Sequence, residues 1–131
     1  MDNIEDLNPR RYPESPIIKR NLETLFIRLM ELQDAYVDQG GEEFLITSGL
    51  RSEAQQAELI AQGKTKAVHS KHLSGWAADI FDPKKKLQAF IKSDPAILQR
   101  IGLWCESFDY TPTWVHCQAT PPASGKRFFI P

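Results

Sequence analysis

The sequence has few of the features that mark membrane proteins, nucleic-acid-binding proteins or exported proteins. No apolar run approaches the roughly 20 residues that a membrane-spanning helix needs. The 16 Lys and Arg residues nearly balance the 17 Asp and Glu residues, so no basic excess favours a nucleic-acid partner. The acidic start of the chain differs from the basic and then apolar pattern of a signal peptide. We therefore expect a protein that is cytoplasmic as synthesised.

Cysteine is also scarce, and the two residues present, Cys105 and Cys117, allow more than one interpretation. They could form a disulfide, but two reduced core thiols are the commoner state in a chain without a signal peptide. Cys117 could also bind zinc as a thiolate. Side chains alternate along a strand, however, and Cys117 would face away from its neighbour His116. We expect two buried thiols.

The chain of 131 residues is long enough for one hydrophobic core and too short for two, which predicts a single domain over residues 1–131. Within it, residues 1–16 carry Pro9, Pro13 and Pro16 among charged residues. This composition predicts an N-terminal arm that runs extended over the surface.

Helical patterns dominate the first two thirds of the chain. Apolar residues at three- and four-residue steps predict an amphipathic helix over residues 17–38. Ser52 is a suitable cap for a second helix that ends before Gly63. A third helix is predicted over residues 83–93, followed by a short one that ends near Arg100. The residues expected on the buried side of the second helix are Ala54, Ala57, Leu59, Ile60 and Ala61.

Short runs of branched and aromatic residues, bounded by turn-forming residues, predict β-strands. They lie at residues 43–47, 77–81, 103–108, 114–119 and 127–130. Helices early in the chain and strands mostly later predict an α+β fold, with the helices packed on a small antiparallel β-sheet.

Three residues have the chemistry of a zinc site. His72 precedes Asp79 by seven positions, with Gly75 between them to allow a turn, and His116 lies on a predicted strand. A catalytic zinc ion usually takes three protein ligands of these types and leaves one position for water. By itself the pattern also fits a core histidine on the strand and an aspartate that accepts hydrogen bonds in a turn.

Residues 70–80, Ser-Lys-His-Leu-Ser-Gly-Trp-Ala-Ala-Asp-Ile, resemble the Ser-x-His-x-x-Gly-x-Ala-x-Asp motif of the zinc D-Ala-D-Ala peptidases, peptidase family M15. Residues 48–51 are similar to the Ser-Gly-x-Arg segment of that family, and residues 114–116 resemble its strand with the second histidine. The resemblance covers about residues 20–130 and implies a hedgehog/DD-peptidase-like fold. It implies the zinc ligands His72, Asp79 and His116, and substrate binding by Arg51 and Ser70.

The general base is less clear from the sequence. Many family members carry Glu or Asp three residues before the second histidine, and this chain has Thr113 there. Our first candidate is Asp109, because it lies at the turn before the strand and a loop carboxylate could reach the metal. Glu106, within the preceding strand, is the second candidate. Both residues could instead be ordinary surface charges.

The resemblance implies a zinc-dependent peptidase that acts on the stem peptides of peptidoglycan. It would either release a terminal D-alanine or cut between L-alanine and D-glutamate. Because no export signal is visible, a bacteriophage endolysin is favoured, monomeric and acting at the cell wall once another factor releases it. The alternative is a non-catalytic zinc-containing module that binds peptidoglycan or forms part of a phage particle. Thr113 keeps that alternative open.

Overall fold

The computed structural model describes residues 1–67 and 69–131, in which helices and one five-stranded sheet share a hydrophobic core. The strands are β1 Ile46–Ser48, β2 Ala77–Phe81, β3 Trp104–Glu106, β4 Trp114–Gln118 and β5 Phe128–Phe129. Their order in the sheet is β1-β2-β4-β3-β5. The predicted α+β fold is confirmed. The sheet is mixed rather than wholly antiparallel, because β3 and β5 pair in parallel.

The four α-helices lie close to their predicted positions, although the third begins three residues later than predicted and the two 3-10 helices were not predicted. The α-helices are α1 Pro16–Asp38, α2 Glu53–Ala61, α3 Lys86–Ser93 and α4 Ala96–Ile101, with 3-10 helices at Ile4–Leu7 and Phe108–Tyr110. Helix α1 begins where the Ser15 hydroxyl accepts a hydrogen bond from the Ile18 amide. Across the described ranges, no helix is both long and apolar enough to cross a membrane.

The core lies between α1 and the centre of the sheet. The apolar stripe predicted for α1 lies on the core side: Leu22, Leu25, Leu29 and Leu32 are 0–1% exposed, and Phe26 and Met30 are half-buried. From the sheet, Val115 and Cys117 face the core and are fully buried. Cys105 and Cys117 are free thiols with their sulfur atoms 3.6 Å apart, as expected. The opposite face of β4 is therefore left for His116 and Gln118.

The N-terminal segment is not the extended surface arm predicted from its prolines. It contains the 3-10 helix Ile4–Leu7, which Asn3 caps, and Leu7 is fully buried. The Leu7 carbonyl accepts a hydrogen bond from the Leu50 amide at 2.8 Å. Met1 and Leu7 enter the core, whereas Pro9 and Pro13 follow the 3-10 helix in a part of the segment without helix or strand.

Helix α2 has the predicted cap but not the predicted buried face. The Ser52 hydroxyl accepts from the Gln55 amide at 3.1 Å. Of the five residues expected to be buried, Leu59 is half-buried. The other four are exposed: Ala54, Ala57, Ile60 and Ala61. The buried residue of this helix is Gln56. The side-chain oxygen of Gln56 accepts a hydrogen bond from Arg51, and its side-chain nitrogen donates to the Ala67 carbonyl. Polar contacts rather than apolar packing therefore hold the helix at this point.

Candidate metal centre

The pairing of β2 with β4 brings two of the predicted ligands together. The antiparallel register places Asp79 directly opposite His116. Side chains of directly opposed residues lie on the same face of a sheet. Asp79 Oδ1 is 3.0 Å from His116 Nδ1, and the His116 residue is 6% exposed. The sheet therefore holds this pair in fixed, nearly buried positions.

The third predicted ligand, His72, comes from a turn. Gly75 closes this turn with φ of +78°, and a Cβ there would press on Leu22 and Ile18 of α1. The His72 residue is 2% exposed, and its Nε2 lies 3.4 Å from Asp79 Oδ1. One possible ligand atom from each of the three residues lies within 4.8 Å of the others. The structure thus brings together His72, Asp79 and His116.

His116 lies between two hydrogen-bond acceptors. Its Nδ1 faces the Asp79 carboxylate, and its Nε2 is 3.0 Å from Gln118 Oε1. The Gln118 amide nitrogen donates to the Thr120 carbonyl at 2.8 Å, so the amide oxygen must be the atom that faces the ring. A neutral imidazole has only one N–H group. Both contacts are favourable only if the ring is protonated or if a cation lies at Nδ1.

His72 has the same arrangement. Its Nδ1 is 2.9 Å from the carbonyl oxygen of Gly49, and its Nε2 faces Asp79 Oδ1. A carbonyl can only accept, so Nδ1 carries a proton, and the contact of Nε2 with Asp79 is favourable only if Nε2 is protonated as well or a cation lies there. The inner nitrogens of both rings therefore face one carboxylate oxygen. This geometry favours a positive charge between them.

The electrostatics of the metal-free protein agree with that geometry. Burial disfavours a charged His116, but the hydrogen bond and charge of Asp79, with the charge of Glu106, raise the pKa of His116 to about 9. Burial alone would raise the pKa of Asp79, but the two histidines hold it well below its usual value. The site keeps a proton above neutral pH, and a bound cation would displace that proton.

Arg51 borders the same carboxylate. Its Nη2 is 3.4 Å from Asp79 Oδ2, its Nε donates to Ser48 at 3.1 Å and its Nη1 donates to Gln56 at 3.1 Å. These contacts use three of the five N–H donors of a guanidinium group. Within residues 1–67 and 69–131, two donors are left for another acceptor beside the three candidate ligands.

Ser70 has a structural contact next to the site. Its hydroxyl accepts a hydrogen bond from the backbone amide of His72 at 3.2 Å. This contact is a local turn cap of the kind that serine commonly forms. The neighbouring His69 is exposed. Substrate contact by Ser70 stays a prediction, and its visible contact supports the turn that carries His72.

The carboxylate beside His116 is Glu106 rather than Asp109. Glu106 Oε1 is 3.8 Å from His116 Nδ1, and its side chain is 21% exposed. Burial is the main cause that raises the pKa of Glu106. Asp109 lies in the exposed 3-10 helix Phe108–Tyr110, and within residues 1–67 and 69–131 no hydrogen bond or ion pair joins it to the three candidate ligands.

The strand register explains why Glu106, the second candidate from the sequence, lies nearer to His116 than Asp109 does. Cys105 of β3 pairs with Cys117 of β4, so the next residue, Glu106, comes opposite His116. The alternation of buried cysteines and polar neighbours was the available signal. A second contact, from Gln118 to His116, follows from the same alternation, since the two residues are two positions apart on one strand.

Comparisons with known proteins give one informative match. No protein-family model matches the chain, and no curated protein matches it. The structure is similar to the crystal structure of the Serratia marcescens L-Ala D-Glu endopeptidase ChiX, with 22% sequence identity and a TM-score of 0.55. The match covers 87% of this chain and 95% of the other. At this level of identity the likeness shows the fold alone, an α+β architecture that the two proteins share.

Proposed function

We propose that this protein is a zinc-dependent peptidase that hydrolyses an amide bond in the stem peptides of peptidoglycan, as bacteriophage endolysins do. The observation that carries the proposal is the position of each imidazole between two acceptors, with both inner nitrogens facing Asp79. The fold shared with an L-Ala D-Glu endopeptidase adds support, and it favours cleavage between L-alanine and D-glutamate over removal of a terminal D-alanine.

The residues present fit a zinc ion. His72 Nε2, a carboxylate oxygen of Asp79 and His116 Nδ1 would hold it, and two imidazoles with one carboxylate form a usual set for a catalytic site with an open position. When bound, zinc would polarise the scissile carbonyl and make a water molecule acidic enough to act as a nucleophile near neutral pH.

Glu106 is the general base in this proposal. It lies beside His116 and is partly buried, so it can accept a proton from the attacking water and pass it to the leaving amine. Asp109, the first choice from the sequence, is exposed on a separate 3-10 helix. Glu106 supplies from β3 the carboxylate that related peptidases carry three residues before the second histidine, where this chain has Thr113.

Arg51 would bind the substrate next to the ion. The two N–H donors of Arg51 that have no acceptor among the described residues suit a substrate carboxylate or the oxygen on which negative charge develops during amide hydrolysis. Its charge is held in place by Asp79, Ser48 and Gln56. Ser70 caps the turn beside it and is the second proposed substrate contact.

The activity can be tested with zinc-loaded protein, purified peptidoglycan and two synthetic peptides. One peptide contains an internal L-Ala–D-Glu bond and the other ends in D-Ala-D-Ala. We expect new amino groups from peptidoglycan and cleavage of the first peptide, with the cut located by mass spectrometry. Cleavage of the second peptide alone would assign a carboxypeptidase instead. A protein that binds no zinc would overturn the proposal.

A matched pair of variants tests the base. Glu106→Gln should lower the cleavage rate by about 10²–10⁴-fold while zinc binding is retained, which is the range for loss of a general base. Asp109→Asn should stay close to the wild-type rate, because Asp109 lies outside the site. If wild-type protein binds zinc and cuts no wall peptide, the non-catalytic module is the correct reading.

A further inference from the structure

Gln118 is a buried amide whose position is set by two hydrogen bonds. Gln118 is 2% exposed. Its side-chain oxygen lies 3.0 Å from His116 Nε2, and its side-chain nitrogen donates to the Thr120 carbonyl at 2.8 Å. Rotation of the amide by half a turn would place two acceptors together at Thr120. The oxygen is therefore fixed toward the ring.

We infer that Gln118 is a positioning residue, which accepts the Nε2 proton of His116 and thereby turns Nδ1 toward Asp79 as the ligand atom of the proposed metal site. The role of Nδ1 as a ligand rests on the proposed function. The hydrogen bond from Nε2 does not, because it joins two side chains of this protein and needs no other group.

The bond matters because an imidazole can present either nitrogen to a metal. A ring turned over would direct Nε2 inward and Nδ1 toward Gln118, and the ligand atom would move relative to Asp79. An acceptor at the outer nitrogen fixes both the tautomer and the orientation of a metal-binding histidine. At His72 the backbone carbonyl of Gly49 is the acceptor that fixes the orientation of the ring. At His116 it depends on a side chain and can be removed by substitution.

The chain offers a matched control for loss of a buried amide. Gln88 is 3% exposed, and its nitrogen donates to the carbonyls of Thr111 and Trp114 at 2.7 and 3.2 Å. Gln88→Met therefore removes buried hydrogen bonds next to β4 without removing a hydrogen-bond partner of the His116 ring. A general loss of stability should affect it as much as Gln118→Met.

The test compares zinc affinity in Gln118→Met, Gln118→Glu and Gln88→Met, by competition with a chelator. Methionine has no strong acceptor, so Gln118→Met should weaken zinc binding by about 10–100-fold. Glutamate keeps an acceptor for the Nε2 proton, so Gln118→Glu should bind zinc at least as well as wild type, although it loses the bond to Thr120. Gln88→Met should stay within a few-fold of wild type.

A second readout needs no metal. In nitrogen–proton NMR spectra of the metal-free protein near pH 6, the Nε2 proton of His116 should exchange slowly with water in wild type and in Gln118→Glu, and fast in Gln118→Met. If Gln118→Met does not fold, Gln118→Asn, whose amide is one methylene shorter, takes its place.

Two results would overturn the inference: a Gln118→Met protein with wild-type zinc affinity and a slowly exchanging Nε2 proton, or equal weakening of zinc binding in Gln88→Met. A wild-type protein that binds no zinc would defeat the proposed function instead. The proton exchange rates would still decide the role of Gln118.

Discussion

The two halves of the candidate metal centre are built in different ways. His72 is held by backbone: its ring bonds the Gly49 carbonyl, and its own carbonyl accepts from the Arg51 amide at 3.1 Å. Asp79 and His116 are held by strand register, and the outer nitrogen of His116 bonds a side chain, Gln118. The bond that orients the His72 ring comes from a backbone carbonyl, so no side-chain truncation removes that bond directly. The strand half can be disturbed by exchanging one side chain.

Removal of a ligand should have the largest effect and should not distinguish the halves. His72→Ala and His116→Ala should each weaken zinc binding by about 1,000-fold or more, because three ligands are the minimum for a tight site. Competition with a chromophoric chelator measures the affinity. His69→Ala, which changes an exposed histidine, is the control. Near-normal zinc affinity in either ligand variant would mean that its imidazole is not a ligand.

A change at Gly49 should break the backbone half alone. A Cβ at Gly49 would collide with the backbone carbonyl of Leu7, so the chain must shift at the carbonyl that bonds His72. Gly49→Ala should lower the free energy of unfolding by about 1–3 kcal/mol and also weaken zinc binding. Denaturant unfolding measures the first quantity.

Gly63→Ala is the comparison for Gly49→Ala. Gly63 has φ of +72° and open space around it, so alanine there costs backbone strain of about 1–2 kcal/mol without a collision. Its zinc affinity should be unchanged. If Gly49→Ala leaves both stability and zinc affinity at wild-type values, the backbone does not hold His72 in the way described.

The strand half should give the metal-free protein a pH-dependent stability. The pKa of His116 is raised from 6.5 to about 9 in the folded state. Because the folded protein binds the His116 proton more tightly than the unfolded chain does, this proton stabilises the folded state. The contribution is fully present below about pH 6.5 and is lost as the pH rises through about 9. The melting temperature of metal-free protein should fall over this interval, and His116→Asn should flatten the fall. A melting temperature that rises across the interval in wild type would contradict the assignment.

Ser70→Ala should have the smallest effect on zinc affinity among the variants expected to change it, and it tests how firmly the turn holds His72. The Ser70 hydroxyl caps the turn of His72, as the Ser52 hydroxyl caps α2. Each alanine variant should lose about 1 kcal/mol of stability. Only Ser70→Ala should also weaken zinc binding, by a few-fold, since its cap lies on a ligand residue. Equal zinc affinities in the two variants would show that the turn is rigid without Ser70.

Local patterns were enough to predict the elements and the three candidate ligands. The α1 stripe repeats at helical spacing, and β2 and β4 are runs of apolar residues bounded by turns, as the structure has them. The motif over residues 70–80 predicts His72 and Asp79 as ligands, and the separate strand segment 114–116 predicts His116. Each of these segments is short and can be recognised by itself, although only the pairing of β2 with β4 brings Asp79 and His116 together.

Features that depend on pairing between distant segments were predicted less well. Glu106 was ranked below Asp109 because only the pairing of β3 with β4 places it beside His116. The parallel contact between β3 and β5 could not be read from strand patterns, which carry no direction. Helix α2 was expected to bury apolar residues, but the partners of Gln56 lie outside the helix, at Arg51 and Ala67.

The most direct test of the account is a crystal structure grown with zinc, with an anomalous difference map calculated at the zinc absorption edge. We predict one strong peak at about 2.0–2.2 Å from His72 Nε2, an Asp79 carboxylate oxygen and His116 Nδ1. A peak at any other place, or an imidazole of residue 72 or 116 turned away from the ion, would contradict the account.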